Sequence, residues 1–147
     1  MNRNLFFVCL FIITIFLSSC GTSKSTLTHK ADSTPKREFR GAWIQTVGQS
    51  RYSQMNSSAM KHYLSEMVRK LDEAGVNAVI FQIRPEADAF YKSDLEPWSR
   101  FLTGQQGKAP DDPDFDPLAF IIDECHKRGM ELHAWLNPYR VKTNISN

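Results

Sequence analysis

The short apolar run Asn77–Ile83 (NAVIFQI) limits the fold of this 147-residue chain more than any other stretch. It follows a helical pattern that stops at Gly75, and its apolar residues are nearly continuous. Such a run between helical patterns is typical of a parallel strand that is buried on both faces. Arg84, Glu86 and Asp88 follow at once, with an intervening proline that blocks further strand pairing. Helix-covered parallel sheets bind ligands at the carboxyl ends of their strands, so we expect a site here.

The segment before this run predicts one strand and one helix. Phe39–Val47 is the first strand candidate, and Trp43 lies toward its carboxyl end. Ser57 or Ser58 is the expected cap of the helix that follows. The helix has one apolar face, made of Met60, Leu64, Met67, Val68 and Leu71. Gly75 suits the left-handed position that often follows a helix end.

A second helix and a third strand follow the long irregular segment 89–114. Asp116 is expected to cap this helix, with Pro117 in its first turn and its last residue near Arg128. Met130–Leu136 is then the third strand. Strands that alternate with helices predict an α/β fold with parallel strands and right-handed crossovers.

The N-terminus has the pattern of a secretion signal. Arg3 precedes an almost wholly apolar run, Leu5–Leu17, which is shorter than the roughly 20 residues that span a bilayer. Two serines then precede Cys20 and Gly21, which resembles the lipobox of bacterial lipoproteins. We therefore predict a signal peptide over residues 1–20 and lipidation of Cys20. An uncleaved anchor and ordinary secretion are the alternatives.

Residues 21–36 are rich in Ser, Thr and Lys and have no apolar period, which predicts a flexible tether before a domain over residues 37–147. The expected location is the bacterial cell envelope, with a lipid anchor in the outer membrane. The formal net charge of +2 gives no reason to expect a nucleic-acid partner. Cys125 has no partner for a disulfide once Cys9 and Cys20 are assigned to the signal, and its helical pattern indicates a core thiol.

Glu86 and Asp88 are the candidate catalytic residues. Two positions apart in an extended segment, they share one side of the chain. Glycoside cleavage needs such a pair, one carboxyl group to protonate the leaving oxygen and another to attack or to activate water. The alternative is a structural ion pair with Arg84. His133, inside the third strand, is expected to be a buried, hydrogen-bonded histidine more than a general base.

The sequence predicts no metal and no cofactor. The four histidines lack the spacing of a metal motif, and no phosphate-binding or dinucleotide motif is present. The turn 137–140 (NPYR) after the third strand is a better candidate for ligand binding, because polar groups after a buried strand usually face a cleft. Trp135 and Tyr139 are candidates for a sugar-stacking platform or for the core.

Four stretches together resemble the start of the glycosyl hydrolase-like 10 family: FRGAWIQTV, NAVIFQIRPEADAFY, SDLEPWSRFLTG and DPLAFIIDECHKRGMELHAWLNPYRV. The resemblance covers about Arg37–Val141. It implies a bacterial (β/α)₈ TIM barrel, often an envelope lipoprotein, of glycoside hydrolase type. Its expected substrate is peptidoglycan glycan stripped of its peptides, or another polysaccharide.

The resemblance also implies which residues line the ligand cleft. Beside the two carboxylates, the substrate-binding positions are Arg84, Trp135, Asn137, Tyr139 and Arg140. A barrel of this type has eight strands and about 250 residues, whereas three strands are predicted here. We therefore expect the main acid and base beyond Asn147, and an inactive, marginally stable chain as it stands. A non-catalytic glycan-binding lipoprotein and a truncated product without activity are the alternatives.

Overall fold

The computed structural model describes residues 38–143, which form a three-stranded parallel sheet with helices packed on one face. The strands are β1 (Gly41–Ile44), β2 (Ala78–Arg84) and β3 (Glu131–Leu136), in the order β1-β2-β3. The mixed α/β class with parallel strands is confirmed, whereas a closed eight-stranded barrel stays a prediction. The signal peptide, the lipidation of Cys20 and the tether lie outside the described residues.

Four helices connect the strands within this part of the chain. They are α1 (Ser50–Ser53), α2 (Ser57–Glu73), α3 (Arg100–Thr103) and α4 (Pro117–His126). The two long helices were predicted from their apolar periods, and their positions are confirmed. Helices α1 and α3 were not predicted, because a single helical turn is too short to produce an apolar period. Among the described residues, no helix has the length and apolarity needed to cross a membrane.

The strand register decides which side chains face the helices. Gly41 pairs with Ala78 in β2, and Ala78 pairs with Glu131 in β3. Alternate residues of β2 (Val79, Phe81 and Ile83) are buried in the core. The residues between them, including Ile80 and Gln82, therefore lie on the opposite face, which in a barrel is the interior face.

The core lies between β2 and the two long helices. Helix α2 contributes Met60, Leu64 and Val68, and α4 contributes Ile121 and Cys125. Cys125 is buried, and burial raises the pKa of its thiol to about 11, so its predicted role as a core thiol is confirmed.

The helix ends confirm one predicted cap and correct another. Asp116 Oδ1 accepts hydrogen bonds from the amides of Leu118 and Ala119, as predicted. At α2, however, the cap is Asn56, whose Oδ1 accepts from the Ala59 amide at 2.8 Å. The prediction of Ser57 or Ser58 was wrong. Asp111, distant in sequence, accepts from both the amide and the hydroxyl of Ser57 and so holds the first turn from outside.

Candidate functional site

Arg84 and Asn137 join the carboxyl ends of β2 and β3. Arg84 Nη1 donates to the Asn137 carbonyl at 2.8 Å, and the Asn137 amide donates to the Arg84 carbonyl at 3.0 Å. Arg84 Nε also pairs with Glu96, which accepts a further bond from the Tyr91 hydroxyl at 3.0 Å. Arg84, a predicted substrate-binding residue, is thus committed to partners within the protein.

The side-chain amide of Asn137 orients a tryptophan. Its Nδ2 donates to the Pro85 carbonyl at 3.0 Å, and its Oδ1 accepts from Trp135 Nε1 at 3.0 Å. The indole plane of Trp135 is therefore fixed from the loop that follows β2. Both ends of the Asn137 side-chain amide are thus occupied by partners within the protein.

Trp135 meets a second indole, Trp43, above the middle strand. Their ring centroids are 5.1 Å apart with an interplanar angle of 76°. In register, Trp43 pairs with Ile80 and Trp135 with Gln82, so both indoles lie on the sheet face opposite the helices. Trp43 is 68% exposed. Trp43 was predicted to lie near the end of the first strand but was not among the predicted site residues, since its contact with Trp135 depends on the strand register.

Glu86 is buried and fully hydrogen-bonded. It is 2% exposed, and Arg100 binds both of its oxygens, from Nε and from Nη2, each at 3.0 Å. The Thr143 amide donates to the same carboxylate. Burial by itself would raise the pKa of Glu86, but the bonds from Arg100 and Thr143 outweigh it and hold that pKa below its ordinary value.

Asp88 lies beside Glu86 in a different environment. Its Oδ1 accepts from the Glu86 amide at 3.1 Å, whereas its Oδ2 has no hydrogen-bond partner among the described residues. Burial raises the pKa of Asp88, and the negative charge of Glu86 adds to that effect. The pKa values of the two carboxyl groups are thus shifted in opposite directions, a common arrangement for an acid and its partner. The predicted ion pair exists, but with Arg100 in place of Arg84.

The remaining predicted residues differ in accessibility. Tyr139 is 95% exposed, and Arg140 is exposed beside it. His133, expected to be buried, is instead exposed and lies 2.9 Å from a carboxylate oxygen of Glu131. That expectation was wrong because β3 is an edge strand of the described sheet and His133 lies on the face away from the helices.

Comparison with known proteins decides the family. The family model described as "Glycosyl hydrolase-like 10" matches residues 38–147. The chain belongs to this family. It is 44% identical over 142 residues to "Glycosyl hydrolase YngK" of Bacillus subtilis (strain 168), which covers 93% of this chain and 27% of the relative. It is 36% identical over 151 residues to "Glycosyl hydrolase DigH" of Escherichia coli (strain K12), covering 90% of this chain and 34% of the relative.

Membership of the glycosyl hydrolase-like 10 family makes this a glycoside hydrolase-like protein. The matched region contains every site residue described above. The chain spans about a third or less of the relatives' length, as the 27% and 34% coverage shows. Within residues 38–143, no cluster of three or more histidine, cysteine or acidic side chains is placed to hold a metal ion.

Proposed function

We propose that the protein is a lipid-anchored glycoside hydrolase of the bacterial cell envelope whose substrate is peptidoglycan-type glycan. The observation that carries this proposal is the indole pair of Trp43 and Trp135 at the carboxyl-end region of a parallel sheet. Aromatic faces suit the apolar faces of sugar rings, and ligand sites combine such apolar surface with a few placed polar groups. Family membership supports the reaction class.

The positive charge of Arg140 supports a substrate that carries carboxylates. Glycan strands stripped of their peptides expose a lactyl carboxylate on alternate sugars. Arg140 is exposed next to Tyr139, directly after the turn that follows β3. A guanidinium is the side chain best shaped to bind a carboxylate through two parallel hydrogen bonds. Arg140 is therefore our proposed contact for that group, with Tyr139 packing against the neighbouring sugar.

In a direct experiment, the purified full-length protein is incubated separately with peptide-free glycan strands, with intact peptidoglycan and with a neutral chitin oligosaccharide. We expect new reducing ends from the peptide-free strands and little from the other two. Trp135→Ala should weaken binding of the strands at least tenfold, and Arg140→Met should reduce the preference for them over chitin. Leu95→Ala is the matched control, because Leu95 is an exposed apolar residue of another loop.

The catalytic assignment of Glu86 and Asp88 stays a prediction with its own test. Glu86→Gln and Asp88→Asn keep the shape of each side chain while removing its acid chemistry. Loss of turnover with strand binding retained would assign a catalytic role. Unchanged turnover would make the residue structural and move the search to other carboxyl groups, since hydrolysis needs two of them roughly 5–10 Å apart.

The anchor is tested independently of the chemistry. Cys20→Ser removes the thiol on which the lipid would be placed, so the protein should move from the membrane fraction to the soluble fraction of the envelope. Metabolic labelling with a fatty acid should mark the unaltered protein and leave the variant unlabelled. Labelling of both proteins would contradict lipidation at this cysteine.

A second candidate function is a glycan-binding protein without catalysis. The burial of both candidate carboxylates favours it, as does the neutralisation of Glu86 by Arg100. Calorimetric binding of peptide-free strands, with no new reducing ends after long incubation, would decide for this candidate.

A further inference from the structure

Three residues link the loop after β2 to the segment after β3, and we call them the strand-end latch: Glu86, Arg100 and Thr143. Arg100 holds both oxygens of Glu86, and its Nη2 also donates to the Thr143 carbonyl at 3.3 Å. The Thr143 amide completes the link by donating to Glu86. The backbone and side chains of two separate loops thus meet at one buried carboxylate.

The guanidinium of Arg100 is held in place from two sides. It lies over the ring of Phe101 at 4.4 Å from the centroid, and Phe101 is itself part of the core. At the start of α3, the Ser99 hydroxyl accepts from the Phe101 amide at 3.2 Å, which fixes the backbone that carries Arg100. The position of the Arg100 side chain is therefore fixed, and its two parallel hydrogen bonds fix the position of the Glu86 carboxylate in turn.

The latch closes one end of an exposed turn whose other end is already fixed. Asn137 connects the start of the turn to Arg84 and to Pro85, and Thr143 connects its end to Glu86. Between them, the exposed positions 138–142 include the glycan contacts of the proposed function, Tyr139 and Arg140. A turn that is held at both ends loses less conformational entropy when it binds a ligand than a free one.

We propose that Arg100 is a positioning residue for glycan binding, acting through Glu86 and Thr143 on the turn 138–142. This inference rests on the proposed function of that turn. Arg100 touches no substrate in this scheme, and its effect is to keep Tyr139 and Arg140 ready for the carbohydrate. In this role the Glu86 carboxylate must be ionised and paired with Arg100, whereas a general acid must carry a proton.

The test replaces Arg100 by Met, which keeps an unbranched side chain over Phe101 but cannot hydrogen-bond Glu86. We expect binding of peptide-free glycan strands to weaken at least tenfold and hydrogen exchange at residues 137–143 to accelerate. Arg100→Lys should restore part of both, since an ammonium supplies the charge without the two-point geometry. Arg69→Met is the matched control, because Arg69 also forms ion pairs, with Glu66 and Glu73, but these lie along the helix α2 and not at the turn.

The double variant Arg100→Met with Glu86→Gln separates positioning from a simple loss of stability. It removes the unpaired buried charge, so the melting temperature should recover while glycan binding remains weak. Recovery of binding together with stability would overturn the positioning role, as would an Arg100→Met protein with unchanged affinity and unchanged exchange. If the unaltered protein binds no glycan, the proposed function fails. The positioning role in glycan binding then fails with it, and hydrogen exchange decides whether Arg100 orders the turn at all.

Discussion

Glu124 joins the two long helices through a single carboxylate. It accepts from the Ser65 hydroxyl on α2 at 2.6 Å, from Lys127 Nζ at 2.9 Å and from Arg128 Nη1 at 3.0 Å. The bond from Ser65 contributes most to lowering the pKa of Glu124 to about 2, followed by the bond from Lys127, while burial opposes them. Polar helix positions that look solvated in sequence can thus form a defined contact.

We predict that Glu124→Gln lowers the free energy of unfolding by about 1.5–3 kcal/mol at pH 7, as expected for hydrogen bonds to a charged group. The folded-state pKa lies below the unfolded-state value of about 4.3. The stabilisation is therefore complete above the unfolded-state pKa and is lost as the pH falls toward the folded-state pKa. Urea unfolding between pH 2 and pH 7 should show the two proteins converging at low pH.

Asp123→Asn is the control for that experiment, because Asp123 is exposed on the same helix and its side chain forms no ion pair within the described residues. An equal loss of stability in the control, or a difference between Glu124→Gln and the parent that does not depend on pH, would contradict the assignment.

At the scale of elements, α2 depends on a cap that the sequence pattern did not identify. Asn56→Ala removes the acceptor of the Ala59 amide and should cost about 1 kcal/mol of stability. Ser58→Ala should cost almost nothing, since Ser58 is exposed and lies inside the helix. Hydrogen exchange of the first turn of α2, measured beside the urea midpoint, checks both variants. The opposite ranking would restore the cap first predicted.

A buried amide ties β1 to β2 at their carboxyl ends. Gln82 Oε1 accepts from the amides of Thr46 and Val47, each at 2.9 Å. Gln82→Met leaves both donors without their acceptor at nearly constant volume, so we predict a loss of about 2–4 kcal/mol. Gln105→Met, on an exposed loop, should leave the urea midpoint unchanged. A small effect of Gln82→Met would mean that water replaces the lost acceptor.

At the scale of the whole molecule, the loops contribute to the core that the helices and strands form. Phe90, in the long loop after β2, is fully buried, with its ring 5.7 Å from Tyr52 and 6.3 Å from Phe81. Phe90→Ala should cost about 3–5 kcal/mol, as large cavities in well-packed cores do. Phe39→Ala, at a 60% exposed position, should cost far less in the same thermal melt.

Sequence predictions were accurate where the interactions involved are between residues close in sequence, and they failed where the interactions join distant residues. The apolar periods of α2 and α4 and the continuous run of β2 predicted those elements to within a few residues, because burial pattern is a local property. The segment 89–114 was predicted as irregular, and its residue Phe90 is nevertheless fully buried in the core. Pairs such as Arg100 with Glu86 could not be predicted, since many side chains of suitable charge lie at comparable distances in sequence.

The sequence by itself determined the class of this protein: alternating elements, two helix faces and strand-end polar residues within a glycosyl hydrolase-like 10 pattern. Only the tertiary structure decided what those polar residues contact. The strand register places the ring of Trp43 against that of Trp135. The packing of the loops forms the ion pairs of Glu86 with Arg100 and of Arg84 with Glu96. The physical reason is that backbone and burial preferences act over a few residues, whereas ion pairs and ring contacts depend on where the chain returns in space.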